Sequence, residues 1–412
     1  MAGSSFWQSL WLGITASGEK INMKVLHVIP FLSGSCGGPV QAVTQLCQEL
    51  RNQGVETAIA TTTIDQDKTR VIPDFVPVYS FGRQFCSILP SEFAFSLGLK
   101  HWLKRRSGEF DLLHIHYLFT YPSAVACHYA RKYKIPYIIR PAGMLDSFSL
   151  SKSALRKKIY IFLLEKKNLC RASAVHFTSS EEMCQAERLR LGYQSALVPL
   201  GLNLERFINL GPLKGEFRKR YPQTINKKII LFLSRLDPKK GLDILIAALK
   251  ILAVKRDDFI FVLAGSGDKN YEKFLSRALV SAGLTEICVL TGFLEGSEKS
   301  ALLADADVFV LPSYDENFGM AVVEAMAARL AVIISNRVNI HKLIEDYRAG
   351  IVTGLNAGEI AFAIERIISD ERLRLEMGAQ GERLVEENFN VKKIARQMIA
   401  VYSQYLRPGD VS

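Results

Sequence analysis

From Lys24 the chain alternates short apolar runs with amphipathic stretches, and this alternation stops once and then restarts. The first half reads KVLHVIP (24–30), a helix over 40–54 stopped by Gly54, VETAIATT (55–62) and LLHIHYL (112–118). It continues with a helix over 122–133, YIIRPAG (137–143), a helix over 153–170, AVHFTSS (174–180) and SALVPLG (195–201). Residues 202–226 carry turn residues and no strand pattern, which marks a junction. The rhythm resumes with IILFLSR (229–235), FIFVLAG (259–265), ICVLTG (287–292), VFVLPS (308–313) and AVIIS (331–335). Helices fall between these runs at 242–254, 271–282, 297–304 and 319–328, and three more follow at 356–369, 371–388 and 391–406. Strands separated by helices predict a parallel sheet covered on both faces. The expected fold is therefore α/β, with two tandem Rossmann-like doubly wound domains facing a central cleft. The first domain spans 23–201, the linker 202–226 and the second domain 227–390. The terminal segment 391–412 is a helix that can cross back to the first domain. Ligands of such sheets lie beyond the carboxyl ends of the strands.

Charge is unevenly placed on this frame. Residues 1–200 hold 23 Lys and Arg against 14 Asp and Glu, and the remainder 29 against 27. No nucleic-acid motif accompanies the basic half, so no nucleic-acid partner is expected. Basic residues gather at Arg156, Lys157, Lys158, Lys166 and Lys167, and in KHWLKRR (100–106) around an apparently exposed Trp102. Such a face suits an anionic membrane surface, at ~1 kcal/mol per cation, or is simply a solvated helix side. The seven cysteines form no C-x-x-C pair, which argues against zinc or a disulfide framework and for a reducing, cytoplasmic setting. No apolar run reaches the ~20 residues that span a bilayer. FWQSLWLGI (6–14) lacks a basic flank and a cleavage site, and MKVLHVIP resembles a natural start. Residues 1–22 are expected to be a disordered lead-in or a mis-called start.

Four pieces fall at strand ends facing the expected cleft. In PSYDENFGMAVVEAMAA (312–328), Glu316 and Glu324 flank Phe318-Gly319-Met320 at the start of a helix. A helix start offers free N–H groups and a positive dipole end to an anion, with a carboxylate on either side for hydroxyls. Hydroxyl, diphosphate, hydroxyl is the outline of a nucleotide sugar. SRLDPKKG (234–241) can aim Arg235 and Lys240 at one ligand. AGSGD (264–268) and Gly37-Gly38-Pro39 leave room for close backbone approach, although glycines also serve ordinary turns. A D-x-D at Asp305 and Asp307 precedes its strand, at the end away from the cleft, and reads as helix-end and turn residues. No metal is expected.

Together, GGPVQAV (37–43), SRLDPKKGLDILI (234–246), AGSGD, TGFLEGSEKSALLADADVFVLPS (291–313) and ENFGMAVVE (316–324) resemble the group-one (family four) retaining glycosyltransferases with the GT-B fold. The resemblance covers the second domain nearly end to end and the first more loosely. It implies that Arg235 and Lys240 bind the donor diphosphate, Glu316 the donor sugar and Glu324 the ribose hydroxyls. Backbone amides of Phe318, Gly319 and Met320 would meet the sugar and distal phosphate, Gly265 would line the donor pocket, and Gly38 would let the first-domain loop close, with Gly37 beside it on the acceptor side. The co-substrate would be a nucleotide-diphosphate sugar, with no cofactor, and the acceptor a glycan or a lipid-linked molecule.

Departures cluster in the first domain. DLLHIHYLFTYPS (111–123) resembles an H-x-H-G-x-W stretch, with Tyr117 at the glycine and Phe119 at the tryptophan. His116 is the candidate active-site contact, and His114 is assigned to the core on the opposite strand face. Ala142 stands where a basic residue is usual, and Arg140 is the candidate to compensate. AARLAV (327–332) replaces A-x-G-x-P-V, which is expected to alter a turn behind the site. Two rivals remain: a nucleotide-sugar epimerase or hydrolase, which needs further acids at first-domain strand ends where none is evident, and an inactive glycan- or nucleotide-binding partner subunit.

Overall fold

The computed structural model describes residues 23–32, 38–63, 74–85, 90–146 and 165–406. Seven parallel strands form the first sheet: β1 (Lys24–Ile29), β2 (Glu56–Thr63), β3 (Val78–Gly82), β4 (Leu112–His116), β5 (Tyr137–Arg140), β6 (Ala174–Phe177) and β7 (Ser195–Leu197), in the order β3-β2-β1-β4-β5-β6-β7. Six form the second: β8 (Lys228–Leu233), β9 (Phe259–Ala264), β10 (Cys288–Gly292), β11 (Val308–Leu311), β12 (Ala331–Ser335) and β13 (Gly350–Thr353), in the order β10-β9-β8-β11-β12-β13. Chain order therefore reverses between β1 and β4 and again between β8 and β11. A crevice opens at each switch point, beyond the carboxyl ends of the strands.

Burial follows the strand patterns. Strands β4, β5, β6, β9 and β11 are buried at every residue, as strands covered by helices on both faces must be. Two strands escape the apolar-run pattern, β3 and β13, and both lie at sheet edges with half-buried residues. Trp102 is not exposed as expected: it packs on Tyr79 at 4.6 Å, and on Phe81 and Phe110, under the β3 edge. The clustered cations Arg156, Lys157 and Lys158 and the glycine Gly37 lie outside the described residues.

The helix Val391–Ser403 leaves the second domain and packs on the first sheet. Ile394, Ala395, Met398 and Tyr402 join Val25, Leu112, Ile138 and Ala174 in one buried cluster. Leu202, in the crossover segment, exchanges backbone hydrogen bonds with Phe389 and Val391, so the outgoing and returning chains run side by side. No helix among the described residues is long and apolar enough to cross a membrane.

Candidate active site

A cleft of about 1060 Å³ lies between the two sheets. Its second-domain wall begins with the loop after β8. Asp237 caps the short Pro238–Lys240 turn by accepting from Lys239 N at 2.9 Å, and Gly241 follows at φ +71°. A Cβ at Gly241 would sit 1.9 Å from the Pro312 carbonyl oxygen, so this loop can lie against the 312–317 loop only with glycine there. The contact brings Lys240 Nζ onto Glu316 Oε2 as a largely buried ion pair, while Lys239 pairs with Asp315 beside it. Arg235 is more open and pairs with Asp237 at 3.4 Å.

Gly319, at φ +82°, starts the helix Met320–Ala327, whose first residues line the cleft. The positive end of its dipole thus meets the cleft between the two acids, with the Val322 and Val323 N–H groups already bonded to Gly319 O. Phe318 turns its ring inward against Phe389 at 5.2 Å, leaving its backbone to the cleft. Glu324, one turn into the helix, is buried, and its Oε1 accepts from Lys299 Nζ at 2.7 Å and from Gln41 Nε2 at 3.2 Å. Gln41 belongs to the first domain, so this carboxylate is held from both sides of the cleft.

Glycines set the spacing elsewhere. A Cβ on Gly38 would lie 2.9 Å from Met320 Cβ, so the first-domain helix Gly38–Asn52 can approach the helix Met320–Ala327 only without a side chain there. Gly265, at φ +142°, and Gly267 leave no room beside the Ser234 and Leu236 carbonyls, which accounts for the AGSGD sequence through loop packing as well as through the cleft it borders. Across the cleft, Gly143 (φ +79°) lies against Asn317, whose Nδ2 donates to Thr178 Oγ1 at 3.2 Å.

Behind the first-domain wall stands a group of buried histidines. His27, His114 and His116 bring ring nitrogens within 4.8 Å of one another, and His176 adjoins them. Hydrogen bonds order the protons. Val198 O can only accept, so His176 Nε2 donates to it at 2.7 Å, and His176 Nδ1 must accept from His114 Nε2 at 3.2 Å. His114 Nδ1 then accepts from the Tyr402 hydroxyl at 2.8 Å. The chain Tyr402–His114–His176 is thus satisfied with neutral rings, and it leaves His114 without a free lone pair. Burial, with Arg140 nearby, pushes His27 and His176 down to about 3 and lowers His114 and His116 well below the ordinary range. His114 and His116 share one face of β4, correcting their assignment to opposite faces; residues two apart on a strand point the same way. His116 bonds His27 at 3.0 Å and is fully buried, so it does not line the cleft as an active-site contact would.

Residues 214–384 match the family model described as glycosyl transferases group 1, and residues 37–201 match the glycosyl transferase 4-like domain. The chain belongs to the group 1 glycosyltransferases. An uncharacterized glycosyltransferase of Methanocaldococcus jannaschii is 29% identical over 310 residues, covering 71% of this chain and 75% of the relative. The phosphatidyl-myo-inositol mannosyltransferase of Mycolicibacterium smegmatis is 26% identical over 393 residues, 92% of this chain and 93% of the relative. Among solved structures, Anabaena HepE in complex with UDP and glucose superposes with a TM-score of 0.77 at 20% identity, over 93% of this chain and all of that one. Sucrose-phosphate synthase of Thermosynechococcus elongatus superposes at 0.75 with 21% identity, over 93% and 98% of the two chains. Both establish the GT-B fold.

Within this glycosyltransferase the cleft gathers Gly38, Arg235, Lys240, Gly265, Glu316, Phe318, Gly319, Met320 and Glu324 from the sequence-based set, with Arg140 on the opposite wall. Lys299, Gln41 and Asn317 were missed: each lies inside a quoted motif, but nothing in the motif distinguishes it from a solvated polar residue. Asp146 was missed too. It is buried on the first-domain wall six residues after β5, so an acid does face the cleft from that side. The D-x-D serves structure: Asp305 accepts from Gly215 N and Arg218 N, and Asp307 from Ile229 N at the amino end of β8, with Arg374 paired to it.

Proposed function

We propose that this protein is a retaining hexosyltransferase that moves a sugar from a nucleotide-diphosphate donor to a glycan or lipid-linked acceptor, without a metal. The observation that carries the reading is the pairing of Lys240 with Glu316 at the mouth of a helix whose next turn buries Glu324. Cleaving the anomeric C–O bond builds negative charge on the departing diphosphate. Lys240, Arg235 and the helix-start amides would stabilise that charge. Glu316, oriented by Lys240, would hold the donor sugar's hydroxyls, and Glu324 the ribose. A nucleophile arriving on the face that the diphosphate leaves gives retention. The printed names of two relatives, a phosphatidyl-myo-inositol mannosyltransferase and a putative teichuronic acid biosynthesis glycosyltransferase, support a cell-surface glycan or lipid acceptor reached from the cytoplasmic membrane face.

A thermal-shift panel of nucleoside diphosphates and nucleotide sugars tests this directly. One nucleotide sugar should raise the melting temperature. Lys240→Met should then remove most of the preference for diphosphate over monophosphate, and Glu324→Ala should weaken binding about tenfold, equivalent to ~1.4 kcal/mol. A panel with no stabilising nucleotide, or variants that bind like wild type, overturns the site. A product with inverted anomeric configuration by proton NMR overturns retention.

A further inference from the structure

The first-domain wall of the cleft holds a buried cation that forms no ion pair with a described residue. Arg140 ends β5, and its side chain borders the cleft beside Tyr117, Gly143 and Thr178 while remaining almost wholly buried. Among the described residues no carboxylate forms an ion pair with its guanidinium, and its Nε has no hydrogen-bond partner. The carboxylate whose field it feels is Glu182, but both Glu182 oxygens are engaged elsewhere. Oε1 accepts from Gly143 N at 2.7 Å, and Oε2 accepts from Thr178 N at 2.9 Å and Thr178 Oγ1 at 2.8 Å. The other ionisable groups on this side are Tyr117, Tyr402, Asp146 and the four histidines, and burial holds the histidines neutral.

A buried charge without a partner is costly to the folded protein, and burial accordingly lowers the Arg140 pKa. Such a cost persists at a site when a ligand supplies the missing charge. The donor diphosphate already has Arg235 and Lys240 on the other domain. A planar guanidinium at the acceptor side suits two oxygens of one oxyanion.

We propose that Arg140 is the counter-charge for an oxyanion, phosphate or carboxylate, carried by the acceptor, so that the acceptor of this enzyme is anionic close to its reacting hydroxyl. This rests on the donor reading above.

The test uses the full chain saturated with the nucleoside diphosphate that stabilises it best, titrated calorimetrically with inorganic phosphate and, separately, acetate. Wild type should bind one of these without releasing the nucleotide, with phosphate and acetate distinguishing the two acceptor groups. Arg140→Met should weaken that binding at least tenfold, leave nucleoside diphosphate affinity within twofold, and raise the melting temperature of the ligand-free protein. Arg140→Lys should retain part of the anion binding. Anion binding that competes with the nucleotide, or loss of nucleotide affinity in Arg140→Met, would assign Arg140 to the donor and overturn the proposal. A lower melting temperature in Arg140→Met with unchanged anion binding would make it a structural cation, which also overturns it. If wild type binds no nucleoside diphosphate, the donor reading fails by itself, and the same anion titrations on the ligand-free protein still decide the role of Arg140.

Discussion

Arg329 holds φ at +64°, a left-handed conformation that side-chain-bearing residues adopt at a cost of roughly 1–2 kcal/mol. It follows the helix Met320–Ala327. Arg329 N donates to Met326 O at 2.9 Å and Leu330 N to Ala325 O at 3.0 Å, the paired bonds of a Schellman helix end. The family pattern places glycine there, and the expected consequence of losing it was an altered turn. Arginine takes the left-handed position itself and carries the strain. Tyr117, the other residue standing at a family glycine, likewise adopts φ +71°. Both positions thus hold a backbone conformation that favours glycine. Arg329 gains little in return, because its 3.4 Å pair with Glu382 is exposed on both sides. Arg329→Gly should stabilise the second domain by about 1 kcal/mol, while β-branched Arg329→Val should destabilise it. Calorimetric melting of both variants checks this, and a glycine variant that melts earlier than wild type refutes the strain argument.

At the scale of elements, the strands that cross the core were legible because burial on both faces demands continuous apolar runs, as in FIFVLA of β9. The edge strands β3 (VYSFG) and β13 (GIVT) were not, since an edge is half solvated and short enough to resemble a loop. The candidate residues Arg235, Lys240 and Glu316 were legible for a different reason: they sit in the loops that follow the buried strands β8 and β11 and line the cleft. Gln41 and Asp146 were hidden because their role depends on which elements the fold sets opposite each other. The helix Val391–Ser403 is a similar case. Its apolar stripe was visible, but its berth on the first sheet depends on the path of the returning chain. Tyr402 fastens that berth by donating to His114 Nδ1 at 2.8 Å. Tyr402→Phe leaves this buried nitrogen without a donor and should cost about 1–3 kcal/mol. Lys392→Ala, which removes an exposed 3.0 Å pair with Glu205 on the same helix, should cost under about 1 kcal/mol. Equal denaturation midpoints for the two variants would show that the hydroxyl does not anchor the helix.

For the whole molecule, the two domains meet through a few contacts across the cleft and through the crossing helix. Gly38 lies against Met320, Asn317 bonds Thr178, Lys342 pairs with Glu181, and Gln41 donates to Glu324. These contacts differ in what they can sense. The Lys342–Glu181 pair is exposed and far in sequence from the donor motifs, so it contributes little beyond orientation. Gln41 reaches a buried carboxylate, the one proposed above to hold the ribose, so this contact across the cleft involves a candidate donor residue. Oε1 of Glu324 is taken by Gln41 and Lys299, which orients its other oxygen for a hydroxyl. Gln41→Glu keeps the shape of the side chain but sets two carboxylates against each other across the cleft, a repulsion of a few kcal/mol in a partly buried setting. The variant should have a larger radius of gyration in solution scattering at neutral pH. Acidification should reverse the change, because protonating the introduced acid restores a donor. Lys342→Ala should scatter like wild type. An unchanged radius in Gln41→Glu would mean that the crossing helix alone sets the separation of the domains, and that the contact with Glu324 follows closure without contributing to it.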